Sequence, residues 1–282
     1  MNRKIITTFA TALIAGAAIA SVTSTNKVCR IVLETSTQDN LISIPLVECT
    51  TNAVSGASAV INATNYVMTT GLPTYTALMY KADDGWKSWY LVGSEWQALA
   101  VVEGVQQSVT YPQAEAYNFA RGTALRICFP SNDVPTSTSK KKIYLCGQYN
   151  KGAVTSPVSI VAGTGNAPVY TLVGVGQPEE YTISALVGNI TGYVDKDSIG
   201  VPSSKGTTEY EYVNRNGTNA WKHVTYTEKT VTLGKIELKQ QVKGYEDLTS
   251  SHKLPAGAGF WYITRSADGP SGPRSITWTQ LP

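Results

Sequence analysis

The chain has 282 residues, with 23 basic and 20 acidic side chains and a formal net charge of +3. Only 15% of the residues are charged, whereas proteins that bind nucleic acids concentrate basic residues on one face. The composition therefore argues against nucleic acid as a partner, and the one basic run, at residues 139–142, is typical of a solvated loop.

The first 20 residues are typical of a secretory signal peptide. Arg3 and Lys4 give a positive start, an apolar run follows, and Ala18-Ile19-Ala20 has the small side chains found at signal-peptide cleavage sites. The run is shorter than the ~20 apolar residues that a membrane span needs, so we predict cleavage after Ala20. The mature chain, with a net charge of +1 once Arg3 and Lys4 are removed, is expected to be secreted or held at the cell surface without spanning the membrane.

Four cysteines follow this cleavage site: Cys29, Cys49, Cys128 and Cys146. An even number of cysteines in an exported chain predicts two disulfides. The polar stretches between them predict hairpins that bring Cys29 to Cys49 and Cys128 to Cys146. The alternative connectivity, Cys29–Cys146 with Cys49–Cys128, would join the first strand of a unit to its last.

Short apolar or alternating runs, separated by turn sequences such as DDG at 83–85 and RNG at 215–217, recur along the rest of the chain. Helical periodicity is scarce, and we expect at most a turn or two of helix at residues 111–122 and 245–254. The pattern predicts an all-β protein made of two tandem, duplicated, antiparallel β-sandwich or barrel-like units.

The duplication is inferred from four segments that recur in the same order: 28–47 with 169–187, 77–90 with 209–226, 119–131 with 254–266, and 141–148 with 275–280. Trp86-Lys87 and Trp221-Lys222 lie 135 positions apart, which is also the offset between the third pair of segments. Repetition of this kind indicates two copies of one fold. The predicted domains are a signal peptide at 1–20, unit one at 21–150, a linker at 151–165 and unit two at 166–282.

The third pair of segments combines small residues with a run of bulky apolar ones. Gly257 and Gly259, and Gly122 in the first unit, are expected to allow a sharp turn and a close approach of two backbones at the entry to a central strand.

Few residues in the sequence suggest catalysis. HExxH, GxSxG and CxxC are absent, and the only histidines, His223 and His252, are interpreted as ordinary surface or strand residues. Two i, i+2 acid pairs, 195/197 and 209/211, would place both carboxylates on one strand face, as an acid/base pair or a cation site requires. Because exposed strands collect such residues anyway, we predict no catalytic residue, no metal, no cofactor and no enzyme.

The candidate ligand-binding residues are Trp86, Trp89 and Tyr90. Flat aromatic rings on an exposed strand can stack on sugar rings. Strand alternation puts Trp86 and Tyr90 on one face and Trp89 on the other, so only part of the group can form a platform. Packing in the core is the alternative interpretation.

The two-unit plan, with its Trp-Lys turn and the strand AGAGFWY at 256–262, resembles a group of uncharacterised exported bacterial proteins built from two β-repeats. The resemblance implies a bacterial, exported protein and no particular activity. The leading hypothesis is a noncatalytic secreted or cell-surface protein with a structural or adhesive role, whose partners are copies of itself or other surface proteins. A carbohydrate-binding module that uses exposed aromatics is the first alternative, and a glycosidase-like enzyme is the second.

Overall fold

The computed structural model describes residues 28–46, 60–62, 66–82, 85–102, 105–108, 118–148, 158–160, 168–203, 206–215, 217–233, 236–264 and 276–279. The predicted signal peptide and Cys49 lie outside the described residues.

The described residues of the first half form eleven strands. They are β1 (Val28–Thr35), β2 (Asp39–Ser43), β3 (Val60–Asn62), β4 (Val67–Met68), β5 (Ala77–Ala82), β6 (Gly85–Val92), β7 (Glu95–Val102), β8 (Val105–Ser108), β9 (Asn118–Ala120), β10 (Ala124–Cys128) and β11 (Lys141–Gln148). A three-stranded sheet has the order β1-β11-β4, a six-stranded sheet has the order β2-β10-β5-β6-β7-β8, and β3 pairs with β9.

The second half contributes eleven more strands and a short helix. They are β12 (Val158–Ile160), β13 (Val169–Val173), β14 (Tyr181–Thr182), α1 (Ile183–Val187), β15 (Ile190–Thr191), β16 (Ser198–Ser203), β17 (Gly206–Arg215), β18 (Thr218–Leu233), β19 (Ile236–Asp247), β20 (Lys253–Leu254), β21 (Phe260–Thr264) and β22 (Ile276–Trp278). The sheet orders are β12-β22-β15, β13-β21-β16-β17-β18-β19 and β14-β20.

The strand order is the same in the two halves. Adding eleven to each strand number of the first half gives the order of every sheet in the second. The strands that follow the repeated glycine phrase, β10 and β21, therefore lie at the same position in their sheets. The pairings among the described strands are antiparallel, and none of these sheets closes on itself, so the prediction of an antiparallel all-β protein is confirmed.

Each half is a sandwich in which the three-stranded sheet covers one face of the six-stranded sheet. Leu125 and Ile127 of β10 pack with Ile143 and Leu145 of β11 in the first core. The second core is built in the same way, from side chains of β21 and β22. Side chains alternate between the two faces of a strand, so each bulky apolar run buries every second side chain and directs the others away from its core.

Two of the sequence matches join strands that do not correspond. Trp86 lies on β6 and Trp221 on β18, whereas the counterpart of β6 is β17. Trp86 is 38% exposed and Trp221 only 8%, so the two residues do not share a structural role. The match between Val28 and Val169 is also displaced by one strand, because the counterpart of β1 is β12, which lies within the predicted linker at 151–165.

The hairpins predicted around the cysteines are wrong. Cys128 lies on β10 and Cys146 on β11, in different sheets, and Cys128 is a free thiol. The strands β1 and β2 likewise belong to different sheets. As the alternative connectivity required, β1 and β11 are neighbours, but their register pairs Cys29 with Gly147 and Cys146 with Arg30. The two disulfides stay a prediction.

The stretch predicted as helix at 245–254 begins and ends in strands instead. The strand β19 ends at Asp247, and β20 begins at Lys253. Residues 118–120, within the other predicted helix at 111–122, form β9. The helix α1 begins instead after Thr182, whose hydroxyl accepts a hydrogen bond from Ala185 N at 3.2 Å, as an N-cap does. No helix in the described part of the chain is long and apolar enough to cross a membrane.

The two halves meet through backbone contacts. Ser43 N donates to Gly257 O at 2.8 Å and Gly259 N donates to Leu41 O at 2.9 Å. Between these bonds Ile42 forms an antiparallel bridge with Ala258. Residues 257–259 of the second half therefore pair with the edge strand β2 of the first.

Glycine is required at this junction. Gly257 has a φ of +75°, and Gly122, at the corresponding place in the first half, has a φ of +85°. A Cβ at Gly259 would lie 3.1 Å from the carbonyl oxygens of both Ile42 and Val173. The prediction that these glycines provide a sharp turn and a close backbone approach is confirmed.

Substitution at the junction is expected to loosen the contact between the halves. A Cβ at Gly174 would lie 2.6 Å from the carbonyl carbon of Thr123, so Gly174→Ala should lower the free energy of unfolding by about 1–3 kcal/mol. The control is Gly93→Ala, where φ is +65° but no atom lies within 4 Å of the added Cβ, so that only the backbone conformation costs energy, about 1 kcal/mol. Urea denaturation measures both. A loss at Gly174 no larger than the loss at Gly93 would contradict the junction described here.

Candidate ligand-binding site

The three aromatic residues predicted to bind a ligand lie in different environments. Trp89 is fully buried and packs edge-on against Phe119, with ring centroids 5.9 Å apart. Tyr90 is half-buried, whereas Trp86 is 38% exposed. Of the three, Trp86 presents the most ring surface to a ligand, and Trp89 presents none.

Trp86 belongs to an aromatic cluster that spans both halves, made of Trp86, Tyr170 and Trp261. Trp261, on β21, lies 6.5 Å from Trp86 and 6.2 Å from Tyr170 between ring centroids, with interplanar angles of 73° and 90°. Tyr170 is 56% exposed and Trp261 is partly exposed. Neighbouring ring planes are thus nearly perpendicular, so the cluster offers apolar surface in more than one direction.

Trp261 also lines a cleft of about 490 Å³ between the halves. The cleft is lined by Ser36, Thr37, Gln38, Asp39, Leu41, Arg126, Pro202, Thr207 and Trp261. Arg126 binds Asp39 through two parallel hydrogen bonds, Nε to Oδ1 at 3.0 Å and Nη2 to Oδ2 at 2.7 Å. This bidentate geometry fixes both charged groups in one plane.

The turn that carries Asp39 is held by its own polar side chains. Thr37 Oγ1 donates to the carbonyl oxygen of Asp39 at 2.9 Å, and Asn40 Nδ2 donates to Thr37 O at 3.0 Å. Gln38 Nε2 reaches across to Phe129 O at 3.1 Å. These bonds order the rim of the cleft before any ligand arrives, which lowers the entropy cost of binding.

The Asp39–Arg126 pair sets the protonation states in the cleft. Burial raises the pKa of Asp39, but hydrogen bonds from Arg126 and Cys128, together with the charge of Arg126, outweigh it and leave the pKa below the ordinary 3.8. Burial, followed by the hydrogen bond to Asp39 and the charge of Asp39, raises the pKa of the Cys128 thiol to about 11. At neutral pH the cleft therefore holds a carboxylate and a guanidinium, and the Cys128 thiol beside Asp39 is protonated.

The cleft and the aromatic cluster are built on corresponding strands, the cleft mainly on β2 and β10 and the cluster mainly on β13 and β21. Strand registers match Arg126 with Trp261 and Asp39 with Tyr170. They also match Thr207, which lines the cleft, with Trp86. The ion pair of the first half thus takes the place of the aromatic pair of the second. We call the combined surface the groove: a polar part around Asp39 and Arg126, an aromatic part around Trp86 and Tyr170, and Trp261 common to both.

The acidic pairs suggested as catalytic or cation-binding serve other contacts. Asp195 and Asp197 lie in a turn before β16 rather than on a strand, and each accepts a hydrogen bond from a backbone N–H, Asn214 N at 2.7 Å and Val194 N at 3.1 Å. Glu211 is buried, pairs with Lys243 and accepts a hydrogen bond from a tyrosine hydroxyl at 2.7 Å.

The two histidines lie together, although 29 residues separate them in sequence. The ring centroids of His223 and His252 are 4.7 Å apart, and both rings contact Tyr210. Burial, and then the neighbouring His223, lower the pKa of His252. Among the residues that the structure describes, no group of three or more histidine, cysteine or acidic side chains has the geometry of a metal site.

Sequence reasoning missed Asp39, Arg126 and Trp261. Trp261 was recognised only as part of a fold signature. Alternation along FWY does separate Trp261 from its buried neighbours Phe260 and Tyr262, and this was the available signal. The pairing of Asp39 with Arg126, 87 positions away, follows from the β2–β10 register and has no local trace. No family model, no curated protein and no solved structure matches this chain.

Replacing Asp39 should reveal stabilisation that depends on pH. Because its folded-state pKa lies below 3.8, the unfolded chain binds more protons near that pH; the stabilisation is complete well above pH 3.8 and is lost as pH falls through the folded pKa. We expect Asp39→Asn to lower the free energy of unfolding modestly at neutral pH, since half of the side chain is exposed, and the difference from wild type to vanish in acid. Urea denaturation from pH 7 downward tests this, with Glu179→Gln at an exposed position as the control; a difference independent of pH argues against the ion pair.

Cys128 should react slowly with iodoacetamide. With a pKa of about 11, its thiolate fraction at pH 8 is about a hundredfold below that of a thiol with a pKa of 9.0, and the thiolate is the reactive form. Asp39→Asn should accelerate the reaction, because the nearby negative charge is removed. Mass-spectrometric time courses of the reduced protein measure both rates. An unchanged rate in Asp39→Asn would show that the Asp39 carboxylate does not control the reactivity of the Cys128 thiol.

Proposed function

We propose that this protein is a noncatalytic, exported protein that binds carbohydrate in the groove between its two halves. The observation that carries the proposal is the position of Trp261, which joins an exposed aromatic cluster to a cleft lined by a fixed carboxylate–guanidinium pair. Ligand sites typically combine apolar surface with a few oriented polar groups.

Both kinds of surface match the chemistry of a sugar. A pyranose ring has an apolar face of C–H groups that can pack on an indole ring, and its hydroxyls both donate and accept hydrogen bonds. Asp39 accepts, Arg126 donates, and the Thr37 and Thr207 hydroxyls that line the cleft do both. Because the Asp39 and Arg126 charges are paired, the cleft favours a neutral saccharide over a strongly charged one.

The same pair supports binding rather than hydrolysis. Glycosidases use one carboxylic acid whose pKa is raised so that it can protonate the leaving group. The pKa of Asp39 is lowered, and its two oxygens accept hydrogen bonds from Arg126. Glu211 is similarly engaged with Lys243.

Export, surface location and ancestry belong to the same proposal. A signal peptide at residues 1–20 would deliver the chain to the bacterial exterior, where glycans are abundant and an adhesive role is available.

We infer that the halves arose by duplication. Matching strand orders and left-handed glycines at corresponding turns support this history, with divergence at Arg126/Trp261 turning one copy polar and the other aromatic.

The proposal predicts that Trp261→Ala weakens binding to a glycan found by array screening by about tenfold or more, because the stacking surface is lost. Trp86→Ala and Asp39→Asn should each weaken binding less, since they remove one side of the groove. Tyr75→Ala is the matched control, because Tyr75 is 55% exposed and does not line the groove. Isothermal titration calorimetry measures each affinity.

Two results would contradict the proposed function. If Trp261→Ala binds the glycan as tightly as wild type does, the groove is not the binding site. Release of reducing sugar from the bound glycan, abolished by Asp39→Asn, would replace binding by hydrolysis.

A further inference from the structure

The turn between β19 and β20 is closed by the imidazole ring of His252. Its Nδ1 atom accepts a hydrogen bond from Thr249 N at 2.9 Å, and His252 N donates to Thr249 O at 3.1 Å. The carbonyl oxygen of His252 accepts a hydrogen bond from Ile183 N, at the first residue of α1, at 2.8 Å. The ring therefore holds the turn, and the turn holds the start of α1.

Only a neutral ring with no proton on Nδ1 can close the turn in this way. A charged imidazole carries a proton on both ring nitrogens and accepts no hydrogen bond. The hydroxyl oxygen of Thr249, 3.2 Å from Nδ1, could accept a hydrogen bond from the charged ring, but Thr249 N would then lose its acceptor. Protonation of His252 therefore breaks the bond that closes the turn.

A second histidine makes a charge on His252 less favourable. The ring centroids of His223 and His252 lie 4.7 Å apart, and Tyr210 contacts both rings. Glu246 lies beside His223, with its Oε2 atom 3.5 Å from Nδ1, so its carboxylate can offset one positive charge. Two charged rings would leave one cation without a counter-charge, and a neighbouring like charge disfavours the charged form.

The titratable and charged groups around the pair come from four strands. They are Tyr210 on β17, His223 on β18, Glu246 on β19 and Lys253 on β20. Lys253 is paired with Glu180 at 2.6 Å. Lys222 and Asp247, one position away on β18 and β19, point to the opposite face of the sheet and pair with each other. Glu246 is therefore the carboxylate of this group that responds to a charge on the two rings.

We propose that the pair His223–His252 is an acid-sensitive switch, in which protonation opens the turn at 249–252 and releases β20 from β14 and from the start of α1. Opening would expose Leu254, which is fully buried in the second core of the closed form. An exported chain of this kind would present new apolar surface when its surroundings become mildly acidic.

The direction of the switch follows from the protons bound in each form. Burial, and then the neighbouring His223, lower the pKa of His252 below the ordinary 6.5, against the opposing effect of Glu246. The open form therefore binds more protons than the closed form. The closed form is fully favoured above pH 6.5 and loses this advantage as the pH falls through the folded-state pKa, by up to about tenfold per pH unit for one proton taken up.

Histidine NMR of the full-length protein tests the neutral state directly. At neutral pH the nitrogen chemical shifts should show His252 with its proton on Nε2 and none on Nδ1. His223→Phe keeps an aromatic ring against Tyr210, removes the neighbouring charge and leaves one histidine in the chain, so it should raise the pKa of His252 toward 6.5. A proton on Nδ1 at neutral pH, or a His252 pKa that His223→Phe leaves unchanged, overturns the proposal.

Amide hydrogen exchange measures the opening itself. Protection of Ile183 N–H, corrected for the intrinsic effect of pH on exchange, should fall about threefold or more between pH 7 and pH 5. The control in the same molecule is Tyr75 N, which donates to Leu91 O at 2.7 Å in the half that has no histidine, and its protection should stay constant.

A matched variant separates the switch from a general effect of acid. His252→Asn keeps an acceptor oxygen near the position of Nδ1 but has no proton to gain in this range, so Ile183 N–H should stay protected at pH 5. An equal loss of protection in His252→Asn and wild type, or no loss in wild type beyond that at Tyr75, would show that protonation of His252 does not open the turn.

Discussion

The structure depends on one close approach of two backbones, where residues 257–259 of the second half pair with β2 of the first. Two hydrogen bonds, Ser43 N to Gly257 O and Gly259 N to Leu41 O, are satisfied there, and buried backbone groups left without partners would be costly. Side chains beyond hydrogen would hold the strands apart, so glycine is a steric requirement. Because β21 follows directly, this contact also fixes where Trp261 stands relative to Arg126.

Corresponding positions in the two halves differ in chemistry but have the same place in the strand order. Arg126 and Trp261 lie on corresponding strands, both directed away from their cores, and each packs with a residue of the neighbouring strand, Asp39 or Tyr170. The junction brings these two pairs into one surface. A groove that is polar on one side and aromatic on the other therefore needs no new loop, since replacing side chains on a repeated scaffold is sufficient.

The sequence was informative where the signal is local. Strand alternation, turn residues and the glycine phrase predicted an all-β chain and the sharp turns at Gly122 and Gly257. Pairings that depend on register had no local signal. The polar stretch after Cys29 was interpreted as a hairpin, but β1 and β2 belong to different sheets of one sandwich. For the same reason exposed Trp86 was matched with buried Trp221, although the strand order aligns Trp86 with Thr207 in the groove.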